Sequence, residues 1–449
     1  MRFIRTLQNI WKIQELRQRL IITFLLVVVY RLGCQVVLPG ISPSDLEALS
    51  NFTNKSGLMQ LLDMFSGGAF SQASIFALGI MPYITASIVI QLLGMVLPSF
   101  QKMQREGESG RQKLNQYTRY LTVLILLLQA PAYLMNLTHQ VNAVNGGASM
   151  GFWTIVYLTI ILAAGSMFIM WLGERITDRG IGNGISFIIL VGIIARLPEA
   201  MFFEFISRLP GDGMAQGGLV MFLVEVVLLF AVTVGAVLLV QGTRKVPVQY
   251  AKRIVGNKQY GGVRQYIPLK VNAAGVMPII FAQAIMFVPI TLAGFGADES
   301  GSGFFAAFAD INGFWYNFVY FIMIVGFTYF YTAITVRPTQ MAEDMKRNNG
   351  FIPGVKPGKK TAEYLDSIMS RITLPGSLFL GIVAILPAFA RFFGISQNFA
   401  QFFGGTSLLI MVGVVLDTLQ QIESHLMMHH YDGLMKDGKI KGRTTGSAY

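Results

Sequence analysis

An all-α polytopic membrane protein is the fold class this sequence predicts, with ten transmembrane helices in two inverted five-helix halves and both termini cytoplasmic. Three observations predict it. The 449 residues are 53% hydrophobic and 13% charged, with a mean hydropathy of +0.55, whereas a soluble chain carries about twice that charged fraction. Ten windows are apolar over the ~20 residues that cross ~30 Å of hydrocarbon. Lys and Arg fall on alternate connections, as the cytoplasmic bias of basic residues requires.

Residues 1–19 are basic and amphipathic, with Ile4, Leu7, Ile10 and Trp11 against Arg2, Arg5 and Lys12. They read as an interfacial helix leading into an uncleaved first span. The spans fall at about 20–38, 74–95, 118–138, 152–173, 183–203, 217–240, 272–294, 314–336, 372–391 and 402–421. The first half covers 20–205, an outer hinge loop 206–216, and the second half 217–421, followed by a cytoplasmic tail over 422–449. Residues 1–19 hold five basic residues, the connection after span 2 through Arg119 five, and the 4/5 connection two. The 6/7 connection holds seven, the 8/9 connection seven and the tail four, so 30 of 35 lie on one side. Five spans per half is an odd number, which forces the second half to run inverted.

The stretch Met64–Met95 is apolar, yet Gly67-Gly68 interrupt its front, and Gly79 and Pro82 sit in its body. A helix-breaking pair in mid-bilayer suits backbone that faces protein or a water-filled cavity, not lipid. Gly79-Ile80-Met81-Pro82-Tyr83-Ile84 is echoed by Gly275-Val276-Met277-Pro278-Ile279-Ile280, the counterpart position in the other half. With the topology, the echo points to inverted repeats with a functional site at their interface.

Two connections exceed what charge bias needs. Gln241–Lys270 (within 241–271) has seven basic residues, no acidic ones, and Tyr250, Tyr260, Gly261, Gly262 and Tyr266, which suggest a projecting hairpin. Arg337–Arg371 (337–371) carries Pro353-Gly354-Val355-Lys356-Pro357-Gly358, a rigid tip. Both suit docking of a large partner.

Several classes are disfavoured. A lone Cys34 excludes an internal disulfide. His139, His425, His429 and His430 lack accompanying carboxylates, and Gly180-Ile181-Gly182-Asn183-Gly184 reads as a tight turn, not a phosphate loop. No enzyme site and no cofactor are expected. Arg31 and Asp417 lie towards span ends, where snorkelling explains them, while Glu225 is deeper and has no assigned partner.

The stretch MFSGGAFSQASIFALGIMPYITASIVIQLL, Glu106-Gly107-Glu108-Ser109-Gly110-Arg111, and Gln116-Tyr117-Thr118-Arg119-Tyr120 closely resemble the SecY family of protein-conducting channels. So do Trp171-Leu172-Gly173-Glu174, Arg179-Gly180-Ile181-Gly182-Asn183-Gly184-Ile185-Ser186, Pro268-Leu269-Lys270-Val271-Asn272, and Phe403-Gly404-Gly405-Thr406-Ser407-Leu408-Leu409-Ile410. The resemblance implies a clamshell whose halves enclose an hourglass pore and open sideways to lipid. It implies a plug helix around 57–69, with Leu58, Leu61, Leu62, Met64 and Phe65 as its apolar face and Gly67-Gly68 as a flexible hinge. Without the resemblance, an ordinary amphipathic outer loop explains that segment equally well. The implied pore ring is Ile80, Ile84, Ile185, Ile189, Ile280 and Ile410, of which Ile185 looks shallow.

The implied lateral gate lies between spans 2 and 7, with Pro82, Thr85, Gln91, Gln129 and Asn272; hydrogen bonds between helices would join Gln91, Gln129 and Asn272. Docking is assigned to Lys252, Arg253, Lys258, Arg264, Lys356 and Lys359, with Lys356 and Asn257-Lys258 departing from the family's usual basic residues. The implied partners are SecE, SecG, the SecA ATPase and/or the ribosome, secretory preproteins and their signal sequences, the SecDF and YidC insertion machinery, and anionic lipids. The implied location is the bacterial plasma (inner) membrane. An inverted-repeat secondary transporter and a poreless insertion scaffold are the competing readings.

Overall fold

A computed structural model describes residues 11, 13–41, 63–145, 151–209, 218–250, 253–255, 258–260, 264–283, 285–286 and 313–436. Outside them lie most of the interfacial helix 1–19, Leu58, Leu61 and Leu62 of the plug, Lys252, Asn257, and residues 210–216 of the outer loop. The apolar windows become helices in order: α1 (Gln14–Cys34), α2 (Met81–Val96), α3 (Pro98–Arg105), α4 (Glu108–Asn145), α5 (Phe152–Arg179), α6 (Gly184–Ser207) and α7 (Gly218–Gln241). A helical stretch at 277–283 follows, then α8 (Phe314–Thr335), α9 (Pro338–Arg347), α10 (Lys359–Phe392), the short α11 (Gln397–Ala400) and α12 (Gly405–Lys436). Seven described helices are long and apolar enough to cross a membrane, or eight if α2 and α3, bent by 103°, make one span. Helix α1 is apolar from Leu20 to Tyr30 but carries Arg17, Arg19 and Arg31 around that core.

The chain divides into two units. The first takes residues 1–51, 62–194 and 414–449. Leu126 and Leu134 on α4, and Leu158, Leu162 and Ile169 on α5, are fully buried there. Gly165 lets α5 approach the main chain so closely that an added Cβ would strike the Ile75 carbonyl oxygen. A bidentate ion pair also joins α4 to α5: Arg119 Nε donates to Glu174 Oε1 at 3.0 Å and Nη2 to Oε2 at 2.7 Å.

The second unit takes residues 52–61 and 195–413. In α8 the buried residues Tyr316, Tyr320, Ile324, Thr328 and Thr332 recur every fourth position, one face of a helix. The hairpin expected in Gln241–Lys270 is present as β1 (Thr243–Tyr250) and β4 (Arg264–Lys270), antiparallel with Thr243 opposite Lys270. Its inner strands are β2 (Arg253–Val255) and β3 (Lys258–Tyr260). The sequence gives no sign that the second basic loop joins this hairpin. It does: β5 (Gly350–Phe351) pairs with the end of β1, giving a sheet ordered β4-β1-β5. Val246, Val248, Leu269, Met345, Ile352, Leu365 and Met369 form one buried cluster beneath it.

Candidate functional site

Two helix starts, one in each unit, carry the repeated motif. Span 2 is expected from about residue 74, but residues 66–80 are turns and α2 begins at Met81. Pro82 therefore stands in the first turn of a helix, where its missing N–H has no intrahelical role. It starts the helix and does not break one. Gly79, at φ +56°, makes the preceding turn. The echoed sequence repeats the geometry: Gly275 has φ +63° and the helical residues begin at Met277, with Pro278 second.

The run-up to the first start is buried and held by side chains. Tyr30 Oη and Cys34 Sγ donate to the Ser66 carbonyl at 3.2 and 3.9 Å, Arg31 Nη1 to Gly67 O at 2.9 Å, and Tyr133 Oη to Phe70 O at 3.0 Å. Ser71 N donates to Asp63 Oδ1 at 2.7 Å, and Phe70 N to Ser66 Oγ at 3.0 Å. A backbone bridge between Val37 and Ser74 ties its far end to the chain after α1. Met64 and Phe65 are each 5% exposed. Gly67, at φ +66°, has no room for a Cβ, which would lie 2.9 Å from both Arg31 Nη1 and Gly192 Cα. Two corrections follow. Gly67 and Gly68 supply positive φ within a pinned turn, not slack for a hinge. Arg31 reaches inwards to a carbonyl and does not snorkel to a headgroup, because the turn offers an acceptor within hydrogen-bond distance.

Of the implied ring, Ile80 caps the turn before α2 and is 3% exposed, and Ile84 lies half-buried one turn on. Ile185 is half-buried in the first turn of α6, against Gly173 of α5, and Ile189 is buried one turn further. These four belong to the first unit; Ile280, half-buried, and Ile410, 3% exposed, belong to the second.

Among the gate residues, Thr85 Oγ1 donates to Met81 O at 3.1 Å and Gln91 Nε2 to Ser87 Oγ at 3.4 Å, both within α2. Gln129 is half-buried on α4. Asn272 is 7% exposed and donates to Gly275 O at 3.1 Å, bracing the second helix start, while its buried Oδ1 has no partner among the described residues. Gln91 and Asn272 thus each donate locally, to acceptors four and three residues away.

Arg253 and Lys258 sit on β2 and β3, in register with Tyr260 and Val255, and Arg264 is exposed on β4. Lys356 and Lys359 are exposed at the start of α10, and the Lys356 carbonyl accepts from Thr361 Oγ1 at 2.9 Å.

One cluster escapes sequence reading. Arg208, just past α6, is 4% exposed. Its Nε donates to Glu204 Oε1 at 3.0 Å, and its Nη2 to Glu225 Oε1 at 2.7 Å and to Gly394 O at 2.9 Å. Ser396 N donates to Glu204 Oε2 at 3.1 Å. Glu225 thereby acquires the partner it lacked. The available signal was the i,i+4 spacing of Glu204 and Arg208 together with a carboxylate inside a span, which demands a cation.

The SecY family model matches residues 74–419. Protein translocase subunit SecY of Streptomyces coelicolor is 42% identical over 439 residues, 95% of this chain and 98% of that protein. A structure described by the plug domain of SecY, which stabilises the closed state of the translocation channel, superposes with a TM-score of 0.59 at 18% identity, covering 91% of this chain and 92% of that one. Sec61 in the canine ribosome–channel complex from the endoplasmic reticulum gives 0.53 at 16% identity, with coverage of 91% and 92%.

Proposed function

The chain belongs to the SecY family, and from that premise we propose that it is the pore-forming subunit of a protein translocase, passing unfolded polypeptides across the bacterial plasma membrane. The 42% identity over 95% of the chain carries this reading. In it, Ile80, Ile84, Ile185, Ile189, Ile280 and Ile410 close the resting pore. A ring of apolar side chains seals by dewetting and slides along a passing chain without holding it through hydrogen bonds. The pinned turn Asp63–Ile80 keeps the plug segment before it seated. Transmembrane segments leave through a lateral gate between α2 and the helix that starts at Met277. Translocation of this kind requires no bond chemistry from the channel subunit. SecE and SecG complete the channel. SecA or the ribosome docks on the β4-β1-β5 sheet and the Lys356 tip, and SecDF, YidC and anionic lipids act at its margins.

Planar-bilayer conductance tests the ring. Replacing the six isoleucines by Ser makes the resting channel leak ions, and unchanged conductance overturns the ring. Photocrosslinking along a stalled precursor tests the passage itself: contacts from residues lining spans of both halves support a pore, while contacts confined to lipid-facing positions support a scaffold. Solute uptake into vesicles, absent in this reading, would favour the transporter.

A further inference from the structure

The glycine-rich turn 180–184, between α5 and α6, has no task in the function proposed above. The turn and its side-chain partners all lie in the first unit. Its backbone donors show what holds it. Gly180 N bonds to Ile176 O at 2.8 Å and closes α5. Gly184 N and Ile185 N find side chains close in sequence, Thr177 Oγ1 at 2.9 Å and Asn183 Oδ1 at 3.2 Å. The two central amides are met from further away. Ile181 N donates to Thr23 Oγ1 of α1 at 3.2 Å, and Gly182 N to Gln421 Oε1 of α12 at 2.9 Å. Neither has a backbone acceptor among the described residues. Ile181 is 4% exposed, so its amide depends on the acceptor that the protein supplies.

The two side chains are aimed at the turn as well as close to it. Thr23 Oγ1 gives its own hydrogen to Arg19 O at 2.8 Å, which leaves its lone pairs for Ile181. Arg19 Nη1, one helical turn away, reaches the Gly180 carbonyl at 3.4 Å. Glycine is required where these helices press in. A Cβ at Gly180 would strike Thr23 Oγ1, and one at Gly182, where φ is +83°, would lie 3.2 Å from Thr418 Oγ1. Thr418 and Gln421, three residues apart, share one face of α12.

We propose that Thr23 and Gln421 are positioning residues of the pore ring. Helix α6 leaves the turn at Gly184, where an added Cβ would strike the Gly173 carbonyl of α5. No slack therefore separates the turn from Ile185, the next residue, or from Ile189, one helical turn on. The acceptors on α1 and α12 hold the turn, the turn holds the start of α6, and that start sets where the two isoleucines stand. The bonds themselves are independent of the ring, but their purpose rests on the ring reading above. The rival account is that α5 and the local bonds hold the turn, with α1 and α12 as bystanders.

Amide hydrogen exchange over residues 181–189, in nanodiscs, and resting conductance in planar bilayers test this on the full chain. Thr23→Val keeps the shape and removes the acceptor, while Thr23→Ser keeps the acceptor. Gln421→Met and Gln421→Glu divide in the same way. The Val and Met variants should each speed exchange about tenfold, as loss of one ordinary hydrogen bond allows, and should raise the resting ion leak. The Ser and Glu variants should do neither. Unchanged exchange in the Val and Met variants overturns the proposal. So do equal effects of Ser and Val, or of Glu and Met, which would reduce the two side chains to filler. Faster exchange without a leak also overturns it, provided the variant with all six ring isoleucines replaced by Ser does leak. Silence from that variant sinks the ring reading, and the positioning role with it. Gln421 is exposed, so its two variants decide the matter if Thr23→Val does not fold.

Discussion

The turn into α2 and the turn into the helix at Met277 have the same sequence pattern and the same backbone, yet they receive the chain from different structures. Gly79 follows a buried run held by Tyr30, Arg31, Cys34 and Tyr133. Gly275 follows the edge strand of a sheet, with Val271 N bonded to Gly242 O and Asn272 closing the turn. A Cβ at Gly79 would sit 3.4 Å from Ser66 Cβ, whereas one at Gly275 would meet nothing within 4 Å. The repeated element is the start of the helix, and what precedes it is free to differ. One copy is fed by a buried turn, the other by a three-stranded sheet.

Five substitutions, in three sets, sharpen or break that comparison. The largest effect belongs to Gly67→Ala, which touches only the run-up to the first start. Left-handed backbone with a side chain costs ~1–2 kcal/mol, and overpacking against Gly192 Cα adds ~1–3 kcal/mol. The thermal unfolding midpoint in detergent should fall by several degrees, and a wild-type midpoint would mean the run-up is loose. Next come Gly79→Ala and Gly275→Ala, each losing ~1–2 kcal/mol from the shared positive φ. Their losses should agree within ~1 kcal/mol; a wider gap in paired unfolding measurements would show that the two turns are not equivalent. Smallest are Pro82→Ala and Pro278→Ala, within ~1 kcal/mol of wild type because both prolines stand in a first turn. A gain near 3 kcal/mol would instead mark them as interior breakers.

The helices were legible because lipid leaves a chain few alternatives, and apolar length reports them directly. The helix starts were not. Ser74–Ile80 is as apolar as the helix after it, and the bridge of Ser74 to Val37, some forty residues earlier, with the positive φ of Gly79 keeps it out of that helix. Glycine and proline marked the right places, but a Pro in a first turn and a Pro in mid-helix look alike in a sequence window. Arg208 was legible only as an outer charge, because its partners Glu225 and Gly394 come from distant windows. The hairpin was visible from its composition. Its union with the second basic loop was not, since β5 is two residues long and carries no strand signal of its own.

That two-residue strand decides how force travels. Gly350 and Phe351 pair with Tyr250 and Gln249, so a pull on the hairpin is also a pull on the chain that leads into α10. Helix α10 has 34 residues with Pro375 and Pro387 inside it, about 50 Å from end to end. At its far end, just beyond Phe392, Gly394 accepts from Arg208. The sheet and the buried Arg208 cluster are thus joined by one continuous helix, and its two internal prolines, Pro375 and Pro387, set where that helix can bend.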